Sequence, residues 1–271
     1  MNKDEMILSI ENLKDRRLRS FLSILSILMG IAAIFSIASF GLGLTNYVNS
    51  LAEEAGTDKF YIQTRGTGLI GDKTFYLSEE DIDFVSKVNE VNDVAGMYAK
   101  AGEIESRDQK KYSFVIGLDP EKEEFIDEVF ALDVDRGRHL KEGDQSKVFL
   151  GYNYQLDNKI FKKGLSPGDK VLINDGEIEV VGFYDAVGNP QDDSQMYVTP
   201  DVFESLYPES KGKYAFVMGS AQKGINMDNF ADNLEEELRK FKGQEEGKED
   251  FFVLTFEDAL ETFSSILGII N

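Results

Sequence analysis

The 271-residue chain has no cysteine, one histidine and a formal net charge of −21, with 42% hydrophobic and 29% charged residues. That length allows one large domain or two smaller ones with real cores, and the missing thiols exclude disulfide scaffolds and thiolate metal sites. A lone His139 argues against histidine metal sites and serine–histidine catalysis, and the acidity repels phosphate backbones, which argues against nucleic acid as a partner.

The charge is unevenly spread. Residues 1–44 carry net +1 and the remainder −22, an acidity that reads as solubility or salt adaptation rather than an acidic ligand-binding face. In residues 1–20, Met6, Ile7, Ile10, Leu13 and Leu18 alternate with charges, as in an amphipathic helix lying on a membrane surface. The basic cluster Lys14, Arg16, Arg17 and Arg19 follows, directly before 24 uncharged residues, 21–44 (FLSILSILMGIAAIFSIASFGLGL). About 20 apolar residues span a bilayer core, so this segment is expected to be a transmembrane helix. It is too long for the apolar core of a signal peptide, and no small-residue cleavage site follows it. The positive-inside rule places residues 1–20 in the cytoplasm, with Lys14, Arg16, Arg17 and Arg19 as orienting charges, and everything after Leu44 outside the cell.

The helix is expected to outrun the bilayer. No proline interrupts residues 20–55, and Val48, Leu51 and Ala55 continue the helical spacing to a stop at Gly56. At ~1.5 Å per residue this makes a rod of ~54 Å against ~30 Å of hydrocarbon, so residues 45–55 are expected to form a stalk.

Residues 56–254 read as one extracytoplasmic core domain. Strand patterns fall at residues 59–64, in patches over 94–116, and at 148–150, 171–173, 178–184, 196–198, 214–218 and 251–254. Ser78 with Asp81 caps a helix that turns Ile82, Val85 and Val88 inward. A short helix covers residues 123–130, and Thr199 and Pro200 open another. Asn174, Asp175 and Gly176 make a hairpin turn. Phe230, Leu234, Leu238 and Phe241 mark an amphipathic helix. Strands and helices mix without strict βαβ alternation, so the expected class is α+β. Thr255 to Asp258 spells a capping box that opens a last helix through Leu260 and Phe263, and residues 255–271 read as a second stalk and the start of a second transmembrane helix, cut off at Asn271.

Candidate chemical sites fail on inspection. Gly66, Gly68 and Gly71 match GxGxxG, but no helix start follows to hold a pyrophosphate, so a loop is expected. Residues 164–170 (GLSPGDK) have the wrong spacing for a phosphate loop. Asp192 and Asp193 could ligate calcium or serve as acid and base, but among 50 acidic residues they read as solvated surface. His139 reads as a surface or packing residue. No nucleophile has an identifiable base, so no catalytic, cofactor-binding or metal residue is assigned, and the chain is not expected to be an enzyme.

Asn12, Leu13, Lys14, Arg19 and Leu22 with ILMGIAA at 27–33, Gly137 with Arg138, and the later strand segments from 148 to 182 together resemble the MacB/FtsX/LolC class of ABC transporter permeases. Residues 12–22, with Asn12, Leu13, Lys14, Arg19 and Leu22, followed by ILMGIAA at 27–33, are similar to that family's opening. Gly137 and Arg138 after a short helix resemble its step into the middle of the outer domain. VFLG at 148–151, GDKV at 168–171 and IEVVG at 178–182 resemble its later strands. The resemblance implies a mixed α/β outer domain with a mostly β subdomain inserted at about 137–207, anchored by the long N-terminal helix. It also implies a dimer or paired permease, surrounding lipid and an ABC ATPase subunit in the cytoplasm that hydrolyses ATP. In this class, hydrolysis inside moves the stalks, here Val48, Leu51 and Ala55 with Leu260 and Phe263, and the outer domain then expels, extracts or activates something outside. Two other readings stand beside it: a single-pass anchored binding or sensor domain, and an FtsX-like regulator of a cell-wall hydrolase.

Overall fold

The computed structural model describes residues 17–55, 58–65, 75–130, 133–256 and 258. The chain divides into two compact units, residues 1–51 with 260–271 and residues 52–259. In the first, the described part is helix α1 (Arg17–Ala55), whose residues Phe21–Gly43 are apolar on every side, with none buried. A helix that is hydrophobic all round has no water-facing side and belongs in a core or in lipid.

The second unit holds, among the described residues, ten strands and four α-helices. Strands β1 (Lys59–Thr64), β2 (Val91–Ser106), β9 (Phe216–Ala221) and β10 (Phe251–Thr255) form an antiparallel layer in the order β10-β1-β9-β2. Helices α2 (Glu79–Ser86) and α5 (Met227–Phe241) cover one face of it. Their Val85, Phe230, Leu234 and Leu238 close over Phe60, Ile62, Val217 and Phe251 in one buried cluster. Ser78 and Asp81 exchange the two hydrogen bonds of a capping box, which satisfies orphan donors at the start of α2. Phe241 departs from the expected inward face: it is half-exposed and stacks on Phe84 with ring centroids 4.4 Å apart.

The opposite face of the layer is covered by α3 (Glu123–Phe130), whose Phe125, Ile126 and Val129 pack with Ala95, Met97 and Met218. This cluster continues onto the outer wall of a closed ring of strands. In that ring β2 pairs β3 (Gln109–Gly117), β3 pairs β8 (Met196–Val198) in parallel, and β8 pairs β5 (Lys147–Leu150). Strand β5 pairs β7 (Gly176–Tyr184) in parallel, β7 pairs β6 (Lys170–Ile173), and β6 returns to β2 through Ile104↔Ile173. Six strands thus make a small barrel, and barrels of this size are filled by side chains. Ile104, Val115, Leu150, Ile173, Val180, Phe183 and Met196 fill it, and Phe203 and Tyr207, on and just after α4 (Pro200–Leu206), close over it. The expected middle segment, 137–207, contributes β5 to β8 and α4, and β3 and the second half of β2 complete the ring.

β2 belongs to both assemblies. Val91 to Met97 pair with β9, and Tyr98 to Ser106 pair with β3. The hairpin between β6 and β7 has Asn174 at φ 46° and Asp175 at φ 67°, the left-handed pair of a two-residue turn. Asn174 fastens it to β2, donating its N–H to Glu103 O and accepting from Glu103 N through Oδ1, both at 3.0 Å. Left-handed backbone strains an L-residue but not glycine. Asp175→Gly is therefore expected to raise stability by up to ~1 kcal/mol, checked by thermal unfolding of the two chains; a lower midpoint would show that Asp175 makes a contact of its own.

Two elements depart from the sequence expectation. The apolar run expected at 214–218 is strand only from Phe216 and continues to Ala221, because Tyr214 instead bridges Leu77. A strand not foreseen, β4 (Val134–Gly137), pairs β7 at the far edge of the sheet; its largely exposed, charged sequence has no apolar alternation to announce it. The opposite edge, β10, is sealed: Val253 N–H donates to Glu235 Oε2 at 3.2 Å and Thr255 N–H to Asp258 Oδ2 at 2.8 Å.

Candidate functional site

The chain enters the sheet of the second unit through β1 and leaves it through β10, and these strands are antiparallel neighbours. Phe60, the second residue of β1, stands opposite Thr255, the last of β10. Entry and exit are therefore side by side at one end of one layer.

Each root is fixed by side chains. Lys59, the first residue of β1, is buried, and its ammonium reaches Glu128 Oε1 of α3 at 3.0 Å and Asp58 Oδ2 at 3.4 Å. It also lies 6.0 Å from the centroid of the Phe125 ring. An ammonium withdrawn from water needs such partners, since unpaired it would cost several kcal/mol. At the exit, Thr255 Oγ1 accepts from Asp258 N–H at 3.0 Å while Asp258 Oδ2 accepts from Thr255 N–H, the expected capping box. Arg65, just past β1, donates Nε–H to Phe251 O at 2.9 Å and ties β1 to β10 at their far end. Beside this pair, burial pushes the Tyr61 hydroxyl up to about 12.

Of the expected orienting residues, Arg19 is exposed near the start of α1, and Arg17 begins that helix. Lys14 and Arg16 lie outside the described residues. Val48, Leu51 and Ala55 fall on the backbone of α1, but their side chains, with Leu260 and Phe263, lie outside the described set. The loop of Gly66, Gly68 and Gly71 lies there too.

Asp192 and Asp193 correct the expectation of solvated surface. Asp193 is 7% exposed, and its carboxylate accepts from Val187 N–H at 2.8 Å and Gly188 N–H at 3.2 Å, closing the loop after β7. Both oxygens serve backbone donors. Asp192 accepts from Asn189 at 2.7 Å and Gln195 at 2.9 Å. Burial, then the neighbouring Asp193 charge, pushes the Asp192 carboxyl up. His139 packs, as expected, flat against Phe149. No group of three or more metal-ligating side chains gathers among the described residues. Two surface clefts are small, ≈ 100 Å³ beside Tyr76, Lys100 and Lys213 and ≈ 210 Å³ between α2 and the start of α4. Drug-sized ligand sites enclose roughly 300–1,000 Å³, more than either cleft.

Lys59 and Glu128 went unmarked in the sequence. A lysine heading an apolar strand looks like any flanking charge, and its partner lies 69 residues away.

The sequence profile of the MacB-like periplasmic core domain matches residues 20–237. The chain is 29% identical over 273 residues to the uncharacterized ABC transporter permease MJ1507 of Methanocaldococcus jannaschii, a match that takes in all of this chain and 66% of that relative's length. Among solved structures, the periplasmic region of MacB from Actinobacillus actinomycetemcomitans superposes with a TM-score of 0.61 at 18% identity, covering 78% of this chain and 95% of that one. The extracellular domain of the noncanonic ABC-type transporter YknZ from Gram-positive bacteria gives 0.56 at 19% identity, covering 73% of this chain and 100% of the other. These two likenesses establish the fold. Together with a profile match over most of its length, they show that the chain belongs to the MacB-like periplasmic core domain family of ABC transporter permeases.

Proposed function

We propose that the chain acts as the permease subunit of a MacB-type ABC transporter, carrying ATP-driven motion across the membrane to its outer domain. A cytoplasmic ATPase subunit supplies the motion, two permeases work as a pair in lipid, and the outer domain expels, exports or extracts a substrate on the outer side. ATP chemistry belongs to the partner. The observation that carries this reading is the pairing of Phe60 with Thr255. A domain whose entry and exit strands share one hydrogen-bonded ladder moves as a body when its roots move. Continuous β2 then delivers that movement to the barrel without a linker.

The test is to assemble the full-length permease with its ATPase in lipid nanodiscs and follow one distance through the ATP cycle. These 271 residues hold no cysteine, so Ser36→Cys and Asp201→Cys add two label sites to a segment with none of its own, and any cysteine elsewhere in the assembly is replaced by serine first. ATP is expected to change the label separation; the same distance distribution with and without ATP would refute transmission.

Orientation has its own test. Neutralising Lys14, Arg16, Arg17 and Arg19 together is expected to weaken or invert insertion. A reporter fused after Gly56 reads outside in the wild type and shows a cytoplasmic fraction in the variant. A wild-type reporter in the cytoplasm would reverse the proposed topology.

A further inference from the structure

On the outer wall of the barrel, α3 presents two carboxylates one turn apart, Glu123 and Asp127. The chain's one histidine lies between them. His139 Nδ1 is 2.5 Å from Glu123 Oε1 and Nε2 is 3.5 Å from Asp127 Oδ2. The imidazole is nearly parallel to the Phe149 ring, at 9° and 5.6 Å between centroids. Buried Tyr184, from β7, donates its hydroxyl to Asp127 Oδ1 at 3.1 Å.

The charged surroundings supply little compensation. Arg138 acts on Glu123 as a cation, but Asp144 takes its guanidinium through two bonds of 2.7 and 2.9 Å. Glu128 is occupied with Lys59. Asp133, before β4, adds negative field at Asp127, and Tyr197, from β8, stands edge-on to Tyr184 with Asp192 and Asp193 behind it.

Both carboxyl side chains are less than a fifth exposed, at 18% and 17%. His139 Nδ1 is sealed from solvent and makes no hydrogen bond of ordinary geometry. A bare ring nitrogen and an ionised carboxylate repel at 2.5 Å, whereas a proton between them turns repulsion into attraction. We infer that Glu123, His139 and Asp127 together form a proton-binding site, and that losing its proton loosens α3 from the barrel wall.

The titration follows the same physics. Burial, then the Asp127 charge, pushes Glu123 up to about 7. Burial pushes Asp127 up to about 6 against the pull of the Tyr184 hydrogen bond, and burial holds the imidazole below its ordinary value. A carboxyl raised on folding binds its proton more tightly in the folded state. Its stabilisation is full below the unfolded value and is lost as pH rises through the folded one. For Glu123 that window runs from 4.5 to about 7 and for Asp127 from 3.8 to about 6. The imidazole works in the opposite direction, one group against two. The docking of α3 therefore weakens as pH rises to neutrality, independently of any transport role.

The single histidine makes the test direct. In the full chain in nanodiscs, with labelled histidine, the His139 ring resonances are followed by NMR from about pH 4 to about pH 8. They are expected to report the neighbouring carboxyls as well as the ring, as coupled sites do, and Glu123→Gln is expected to move the apparent midpoint by roughly one pH unit or more. One ordinary histidine step that neither Glu123→Gln nor Asp127→Asn moves would overturn the site. If a variant fails to fold, wild-type hydrogen exchange decides. The α3 amides, corrected for intrinsic rate, are expected to lose protection roughly threefold or more between about pH 5 and about pH 7 relative to β7. Equal protection at both would overturn the loosening.

Discussion

Val48→Pro is expected to uncouple ATP hydrolysis from outer-domain movement while leaving the outer domain folded. Proline at this point removes one i→i−4 hydrogen bond and drives its ring against the carbonyl of Leu44, at a cost of about 3 kcal/mol or more to an uninterrupted helix. The damage falls within α1, five residues past the end of its apolar span at Gly43 and seven before its end at Ala55. The strands of the outer unit begin beyond it, at Lys59. A rod that transmits displacement fails when it can bend midway, whereas a tether does not. The assembled transporter should thus hydrolyse ATP while the separation between labels at Ser36 and Asp201 stops responding. If ATPase rate and label response both stay at wild-type levels, the stalk carries no signal and the mechanical reading falls.

Much of this architecture was legible because it is local. The uncharged run of α1, the Ser78–Asp81 and Thr255–Asp258 capping boxes, the turn at Asn174 and Pro200 at the start of α4 each lie within a few residues of what they specify. The barrel was not legible. Its closure rests on the β2–β6 contact between Ile104 and Ile173 and on parallel pairs such as Val115↔Met196, whose partners lie far apart in sequence. Alternating burial says that a strand has an inside, not which strand completes the wall. The same limit hid the candidate sites. Glu123 and Asp127 share a helical face by their spacing, but nothing local brings the ring of His139 between them. Asp193 looked solvated among so many acids because its backbone partners exist only after the loop closes.

Phe60→Ala is expected to be the most damaging single truncation at the root of the outer domain. Phe60 is fully buried, meets Phe230 edge to face at 5.1 Å, and occupies the space opened by Gly219, where an added Cβ would lie 2.2 Å from its ring. Because the glycine on β9 has no side chain to fill the void, relaxation should recover little of the loss. A deeply buried Phe→Ala change costs about 3–5 kcal/mol, which for a domain of this size lowers the unfolding midpoint by roughly 6–20 °C. Phe241→Ala serves as the control. Half of that ring is already in water, so its loss should shift the midpoint by a few degrees at most. Equal shifts for the two variants in thermal unfolding of the full chain would mean that the β1–β9 contact does not hold the root.

The guarded β10 strand limits how another chain could add to this edge of the sheet. An open edge is a template on which a second chain can lay its own backbone, extending one sheet into the next. Here Glu235 and Asp258 occupy two of the outward donors that such a guest would need, and each brings a negative charge to the approach. Backbone templating is thereby opposed at the strand by which the chain leaves the sheet. A second copy that approached this edge would have to be recognised through side chains, a contact that can form and part instead of fusing into a fibre.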